Sequence, residues 1–576
     1  MPPSLPYYQG RGAYADPRLR TMTKRLIFSS WNVVPDAISV LLSYEAERQM
    51  MLSRDPSARN TTDDRAKLRG LLTIRRQDGR PAGMSTFGLL YPCLTLAELT
   101  DPLAIARDLG ALYREVGADE VLAEATRRIR EALAPLTRRA PAEGPEDQRW
   151  YWAAPLLLDG RGRTRAATEA WFTSSHTLRA PGSSEGTSDD DAGAWSDHVL
   201  LAQTVLDQGV RHLHLGRVPA DLAESTALLA LGAPGTCALR AIARVLGQLS
   251  DMRPNLASDA ARNAALRVAW GFRSLYNVPE VMSLLRASVG QAEDAYWRRA
   301  AEEGVNGNLQ AVLDEYVHLL PEWLGLVDRD GAFIAEQVGN AIHDAVAIRA
   351  ANYSPDEVCV DDGRLTCAPL PMRVRFAMRF GRNATDDQKV LQRSGAVRSA
   401  FNSPFWPFVL TSTSVGQEGL DFHQYCHAVV HWNLPANPVD LEQREGRVHR
   451  YKGHAIRKNV AERHRAAAFS RRPTDSWAAM FAEAMQGARR DGLRDIEPFW
   501  VYEGSARIQR HVPILPLSRD VERLARLRQS LAAYRLVFGQ PRQEDLVAYL
   551  QDRVTPEDLA GLVERLRVDL TPRKVS

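Results

Sequence analysis

Strand patterns occur in two widely separated parts of this sequence, and that separation constrains the fold more than any other feature. The segment KRLIFSS at 24–30 has the apolar run and polar flanks of a buried strand, and the helically spaced PDAISVLLSYEAERQMM follows it. Further strand patterns appear at RVRFAMRF (373–380), PFVLTS (407–412) and HAVVHWNLP (427–435), with helical stretches between them. Alternating strands and helices are typical of a parallel sheet covered by helices. The sequence therefore predicts one α/β domain whose two parts lie far apart in the chain.

The region between those parts has a different character. Residues 52–370 contain many Ala, Leu and Arg residues with a repeat near 3.6, which predicts a large, mainly α-helical insertion. Inside it, 173–195 is rich in Ser, Gly and Asp and is predicted to be a flexible loop. We predict a linker at 1–23, the two parts of the α/β domain at 24–51 and 371–470, and a helical carboxy-terminal region at 471–576.

Composition limits the function classes. The 73 Lys and Arg residues against 70 Asp and Glu give a net charge of +3, so any nucleic-acid site must be a local patch. The five cysteines are dispersed without a Cys-x-x-Cys pair, which favours a reducing, cytoplasmic location over a disulfide framework. Cys359 and Cys367 have no matching pair at zinc-site spacing, so we predict no metal ligands. No uncharged apolar stretch reaches about 18 residues, so no membrane association is expected.

The densest chemical signal is NPVDLEQREGRVHR at 437–450. Asn437 and Pro438 suit the N-cap and the first position of a helix, and Arg444, Arg447 and Arg450 recur every three residues along one side of it. Upstream, TSTSVGQEGLDF (411–422) places Thr, Ser and Gly at a strand end, where α/β sheets bind ligands. Arginines beside such a loop suit phosphate chemistry, whereas a solvated basic face is the alternative interpretation.

These segments resemble superfamily 2 helicases. QREGRVHR (443–450) is similar to motif VI, TSVGQEGLDF (413–422) to motif V, and RLIFSSW (25–31) to motif IV. AVRSAFNSPFWPFVLTSTS (396–414) resembles the helix and strand that lead into motif V in Swi/Snf-type ATPases. The resemblance covers 24–50 and 372–452, and it implies the carboxy-terminal, RecA-like lobe of such an enzyme.

The resemblance also implies roles for individual residues. Arg447 and Arg450 would reach the phosphates of ATP, bound with Mg²⁺, and Gln443 would help to hold them. Asp421 would contact the ribose, and Gly419 and Glu418 are predicted to bind the nucleotide beside it. A larger set is predicted to contact nucleic acid, with double-stranded DNA favoured by analogy: Thr413, Gly416, Ser29, Ser30, Lys452, Arg457 and Lys458. The last three belong to a run at 440–472 with ten Lys or Arg and four Asp or Glu.

The signature of a first helicase lobe is absent from the sequence. That lobe needs a phosphate loop ending in Gly-Lys-Ser/Thr, and no Gly-Lys dipeptide occurs here. The acidic pair Asp314 and Glu315 lies in NLQAVLDEYVHLL, a pattern that predicts a packed helix. We therefore expect the first lobe elsewhere, and a partner subunit, an alternative start and a truncated gene all remain open.

Two functions compete at this stage. The first is the second motor lobe of an ATP-dependent helicase or translocase, with little or no ATPase activity alone. The second is a non-catalytic scaffold or DNA-binding protein built on a degenerate lobe. An independent nuclease or hydrolase is not supported, because the sequence shows no tight group of metal ligands.

One group of aromatic residues is predicted to lie in the core rather than to stack on bases: Phe405, Trp406, Phe408 and Trp432.

Overall fold

The computed structural model describes most of the chain. The described residues are 1–53, 56, 65, 68–174, 189–208, 213–287, 296–354, 356–361, 364–369, 372–381, 387–413, 420–470, 474–490, 496–514, 516–536 and scattered positions between 550 and 565. The strands are β1 (Lys24–Ser29), β2 (Arg75–Gln77), β3 (Arg80–Ala82), β4 (Ala351–Tyr353), β5 (Asp356–Asp361), β6 (Arg364–Pro369), β7 (Met372–Val374), β8 (Ala377–Phe380), β9 (Val409–Thr413), β10 (Cys426–His431) and β11 (Gln509–His511).

Helices occupy most of the remaining described chain. They are α1 (Val33–Leu52), α2 (Met84–Leu90), α3 (Leu94–Leu99), α4 (Pro102–Asp108), α5 (Ala118–Thr137), α6 (Trp150–Asp159), α7 (Arg165–Thr173), α8 (Asp189–Gln208), α9 (Leu222–Gly232), α10 (Pro234–Leu249), α11 (Asp259–Tyr276), α12 (Pro279–Ala287), α13 (Tyr296–Asn306), α14 (Leu309–Trp323), α15 (Gly331–Val346), α16 (Asp387–Phe401), α17 (Pro438–Gly446), α18 (His454–Ser470), α19 (Ser476–Arg490) and α20 (Asp520–Leu536).

A five-stranded parallel sheet organises the α/β part of the protein, in the order β11-β10-β1-β9-β8. The strand nearest the amino terminus is central: Leu26 aligns with Val429 on one side and with Leu410 on the other. All three side chains are buried, as expected for a strand covered on both faces. The predicted α/β class is therefore confirmed, and the sheet joins segments almost 400 residues apart.

The predicted insertion contains α2–α15, which share one large apolar core. The same core includes Phe469 of α18 and Trp477 of α19, beyond the second part of the α/β domain. The sheet has a separate core around Phe28 and Phe422. The helical unit therefore packs against the carboxy-terminal helices as well as within itself.

The structure differs from the predicted character of two segments. Residues 1–23 are not a linker, because Tyr7 and Tyr8 are buried and the Tyr7 hydroxyl donates a hydrogen bond to Asp314 Oδ2 at 2.6 Å. Most of the predicted loop, 175–188, lies outside the described residues. Its end is not a loop, because α8 begins at Asp189 and buries Trp195.

In the region 471–576, predicted to be helical, the described residues include α19, α20 and the short strand β11, which adds a fifth strand to the sheet. Its sequence QRH carries no apolar alternation, so the sequence held no strand signal there. Among the described residues, no single helix is long and apolar enough to cross a membrane, although two bent helix pairs, 84–108 and 222–249, satisfy the same criteria together.

Candidate nucleotide and nucleic-acid site

Helix α17 begins as the sequence predicts. The Asn437 side chain accepts a hydrogen bond from the backbone N–H of Val439 at 2.8 Å, and Pro438 is the first helical residue. Arg444 lies in this helix but is buried: its Nη1 donates to the carbonyl of Asn433 at 3.2 Å and its guanidinium lies over the Phe28 ring. Burial lowers the pKa of Arg444 below its usual value. Arg444 therefore supports the strand end rather than facing a ligand.

The other two arginines follow the helix instead of continuing it, which corrects the prediction of three arginines along one helix. Helix α17 ends at Gly446, so Arg447 is its C-cap and Arg450 lies in the next turn. Arg447 is only 9% exposed, and its Nη1 donates to the carbonyl of Leu420 at 3.2 Å. The carbonyl of Arg447 in turn accepts from the N–H of Phe422 at 2.9 Å. These bonds join the segment around Arg447 to the end of the predicted motif V.

Arg450 and Asp421 form an ion pair at the surface. Arg450 Nε lies 2.9 Å from Asp421 Oδ1, and the two side chains are 39% and 42% exposed. A hydrogen bond fixes the backbone at Asp421, since the side chain of the buried Asn402 donates to the Asp421 carbonyl at 2.8 Å. A half-exposed ion pair of this kind contributes little to stability, about 0–1 kcal/mol. Both charged groups are therefore available to an incoming ligand at low cost.

Of the remaining predicted nucleotide contacts, the structure describes only Gln443. Gln443 is exposed on α17. Glu418 and Gly419, and also Gly416 from the predicted nucleic-acid contacts, lie outside the described residues. The structure thus brings together Asp421, Arg447 and Arg450 from the predicted nucleotide set.

A second cluster lies at the carboxyl ends of the central strands, where α/β sheets bind ligands. Ser29 and Thr413 are register partners at the ends of β1 and β9. Ser29 is buried and its Oγ accepts from the N–H of Trp31 at 3.1 Å, whereas Ser30 is exposed. Ser30 exchanges two hydrogen bonds with Asn433, one of them from its own N–H at 2.9 Å. Sequence reasoning had not singled out Asn433, whose only signal was its position after a strand.

Two tryptophans at this edge face solvent. Trp31 is 60% exposed and Trp432 is 40% exposed. The N–H of Trp432 donates to the carbonyl of Phe28 at 2.9 Å, which fixes its position beside the end of β1. The prediction that Trp432 is a core residue is therefore wrong, because the chain leaves the sheet there. Phe405 does pack inside, with its ring centroid 5.3 Å from that of Phe272.

Two of the predicted nucleic-acid contacts are corrected to structural roles. Arg457 has no exposed surface: its Nε lies 2.9 Å from Glu315 Oε1, and its Nη1 donates to the carbonyl of Lys452 at 2.8 Å. Lys452 is 6% exposed and its Nζ lies 2.7 Å from Glu322. Neither side chain is placed to meet a phosphate. Lys458 lines a cavity instead.

Those contacts also define the role of the acidic pair in α14. Glu315 is 1% exposed and binds Arg457, and its carboxylate accepts from the N–H and the Oγ of Ser4 at 2.7 and 2.8 Å. Asp314 is buried against Tyr7 and Arg244. The interpretation of this segment as a packed helix is confirmed. Within the part of the chain that the structure describes, no group of three or more potential metal ligands occurs.

Comparison with known proteins supports the helicase interpretation over part of the chain. Residues 388–452 match the family model described as the helicase conserved C-terminal domain. The match begins in α16 and ends two residues after Arg450, so it contains Asp421, Arg447 and Arg450. No curated protein matches the chain, and no solved structure matches it either. The resemblance to a helicase carboxy-terminal lobe is thus confirmed over 388–452, and with it a helicase-like function related to nucleic acid.

Proposed function

We propose that this chain is the second, RecA-like motor lobe of an ATP-dependent, Swi/Snf-like helicase or translocase, acting on DNA together with a first lobe. The observation that carries the proposal is the pairing of Arg450 with Asp421, which lie 29 positions apart in the matched segment. Arginine fingers must reach the nucleotide from the second lobe, and they stabilise charge on the transferred phosphoryl group. Arg450 has the exposure for that task.

The residues around this pair fit one end of ATP with Mg²⁺. That group would supply the phosphoryl transfer that drives movement, Arg450 would hold its phosphates and Asp421 its ribose. Arg450 would exchange the Asp421 carboxylate for a phosphate when the nucleotide enters, and the half-exposed ion pair makes that exchange inexpensive. Arg447, which is nearly buried, would position the turn that carries Arg450.

The nucleic acid would bind at the carboxyl edge of the sheet. Ser30, Asn433 and the end of β9 at Thr413 present hydroxyl and amide groups there, which suit sugar-phosphate contacts. The exposed rings of Trp31 and Trp432 offer stacking surfaces beside them.

Substitution of the finger tests the proposal. The chain is combined with a polypeptide that supplies the Gly-Lys-Ser/Thr lobe, and ATP hydrolysis is measured with and without duplex DNA. Arg450→Ala is expected to lower DNA-stimulated turnover by about 10³-fold or more, because the finger acts in the transition state. Its DNA affinity, measured by fluorescence anisotropy, should stay within about twofold because phosphate contacts lie elsewhere.

Arg463→Met is the matched control, since Arg463 is exposed on α18 and contacts Tyr502. It should leave both turnover and DNA affinity unchanged. Full turnover by Arg450→Ala would refute the assignment of the finger. Absence of salt-dependent DNA binding by the wild-type chain would refute the proposal as a whole.

A non-catalytic scaffold is the second candidate, and one observation favours it. The cations Lys452 and Arg457, which follow Arg450 in the chain, form buried ion pairs with α14 of the helical unit. A scaffold would bind DNA without ATP turnover in any combination with a first lobe. The ATPase measurement therefore separates the two candidates.

A further inference from the structure

A cavity of about 520 Å³ lies away from the Arg450 and Asp421 pair. Its walls come from the amino-terminal segment 2–21, the turn at 111–116, the turn at 306–308 and one face of α18. Cavities of roughly 300–1,000 Å³ at the junction of separate structural units are the usual places for small-molecule ligands. Nothing in the proposed helicase function uses this cavity.

The α18 wall carries three charged side chains. Lys458, Glu462 and Arg465 all line the cavity, together with Ala461. Helix α18 is kinked at His464, where φ is −114° and ψ is 16°, so Lys458 and Arg465 lie on either side of the kink. The wall therefore presents two cations and one carboxylate to the cavity.

Neither cation forms a close ion pair. Lys458 and Arg465 form no ion pair with any residue that the structure describes. Glu462, one turn after Lys458, is bonded to Ser505, whose Oγ donates to its carboxylate at 2.7 Å. Arg465 donates to the carbonyl of Ala111 at 3.3 Å, and its guanidinium lies over the Phe469 ring.

Two other carboxylates at the cavity have basic partners. Arg20 lies 3.6 Å from Glu115, and Asp16 binds Arg18. Burial lowers the pKa of Lys458 below its usual value, and the nearby carboxylates of Glu315 and Glu462 offset only part of that effect. An anion in the cavity would offset that cost.

The shape adds a second requirement. A single phosphate would occupy a small part of a cavity of about 520 Å³, so a ligand that fills the cavity needs a larger group attached to its charged end. The ring of Tyr14, 38% exposed, lies in the wall, together with three prolines from the amino-terminal segment. These groups suit the face of a planar ring.

We propose that this cavity binds a free phosphorylated ligand of mononucleotide size, with its phosphate on Lys458 and Arg465 and its ring against Tyr14. The site is separate from the helicase nucleotide site, because it contains neither Arg450 nor Asp421. Since the cavity joins the amino-terminal segment, the helical unit and α18, its occupant would tie these three parts together.

Isothermal titration of the full chain with AMP tests the proposal, with inorganic phosphate as a second probe. AMP is expected to bind, and inorganic phosphate to bind more weakly because it lacks the ring. Lys458→Met should weaken AMP binding at least tenfold, whereas Arg463→Met, on the same helix but outside the cavity, should leave it unchanged. Arg450→Ala should also bind AMP normally, so loss of binding in that variant alone would assign AMP to the helicase site and overturn the inference.

A measurement on the wild-type chain removes any dependence on how the variant folds. Lys458 acetylation by an N-hydroxysuccinimide ester is followed by mass spectrometry, and AMP should slow it at least fivefold. Unchanged acetylation in saturating AMP, or no heat of AMP binding, would overturn the proposal. Protection by a 5′-phosphorylated oligonucleotide but not by AMP would overturn it too, since the cavity would then receive a strand end.

Discussion

The ion pair between Glu315 and Arg457 offers the sharpest test of how the helical unit is joined to the α/β domain. Glu315 lies in α14 and Arg457 in α18, with exposed side-chain fractions of 1% and 0%. Arg457 also donates to the carbonyls of Lys452 and Gln424 and lies over the Tyr425 ring. Glu315→Gln would remove the only carboxylate that contacts this buried cation among the described residues.

The expected loss of stability in Glu315→Gln depends on the contacts that Arg457 retains. Removing one partner of a buried ion pair costs about 3–5 kcal/mol, because the other charge stays buried without compensation. The two carbonyl acceptors and the ring remain, so the loss should lie at the lower end, about 3 kcal/mol. The free energy of unfolding is measured by urea titration, followed by tryptophan fluorescence and circular dichroism.

A double variant and an exposed pair serve as controls. Glu315→Leu combined with Arg457→Met removes both charges and should recover most of the loss, since buried apolar pairs replace ion pairs at little cost. Glu45→Gln breaks an exposed pair with Arg48 on α1 and should leave the urea midpoint unchanged. A loss below about 1 kcal/mol for Glu315→Gln would refute the reasoning, because a fully buried cation cannot lose its counterion so cheaply.

Three further predictions follow from other parts of the molecule. His427 and His454 are buried with their Nδ1 atoms 3.1 Å apart, and burial lowers the pKa of His427 to about 4. Since the unfolded chain takes up these protons first, near the ordinary value of 6.5, stability should fall as the pH drops from about 6.5 toward 4. His427→Gln should flatten that dependence in urea titrations at several pH values. Gly304→Ala should lower the thermal midpoint, because the new Cβ would lie 2.2 Å from the carbonyl of Gly232 where α13 crosses α9, an overpacking cost of about 1–3 kcal/mol or more. Trp432→Ala should weaken binding of a single-stranded oligonucleotide by about 1–3 kcal/mol, which corresponds to roughly 5-fold to 150-fold, as measured by anisotropy.

Each of these has a matched comparison. A pH dependence equally steep in His427→Gln would show that other groups cause it. Gly487→Ala on α19 meets nothing within 4 Å and should stabilise the helix slightly, so equal destabilisation of both glycine variants would contradict the close-approach argument. Tyr113→Ala removes an aromatic ring that is 89% exposed in the helical unit, and an affinity loss equal to that of Trp432→Ala would contradict a specific stacking surface.

Local patterns were enough to predict the elements around the site. The strand at 24–29 and the helix that starts at Asn437 follow from an apolar run and from capping chemistry, which act within a few residues. The grouping of Asp421 with Arg447 and Arg450 was also readable, because it rests on a motif whose parts lie close together in the chain.

The charge pattern gave the wrong prediction for Lys452 and Arg457, and the strand pattern gave the wrong prediction for Trp432. A basic run is typical of a solvated or phosphate-binding face, but α14 places Glu315 and Glu322 against these cations. The acidic partners come from more than 120 positions earlier in the chain, and no local signal connects them. The exposure of Trp432 likewise depends on where β10 leaves the sheet.

The sequence by itself predicted the strand at 24–29, the helix that begins after Asn437 and the resemblance to a helicase carboxy-terminal domain over 388–452, because propensity, capping and motif spacing are local properties. The tertiary structure alone decided that β1 is the central strand, that Tyr7 and Tyr8 are buried, and that the basic run splits into buried cations, the surface residue Arg450 and a cavity wall. The physical reason is that burial and counterion pairing are set by distant segments. A cation of the same sequence pattern is structural where it is buried against a carboxylate and available where it stays at the surface.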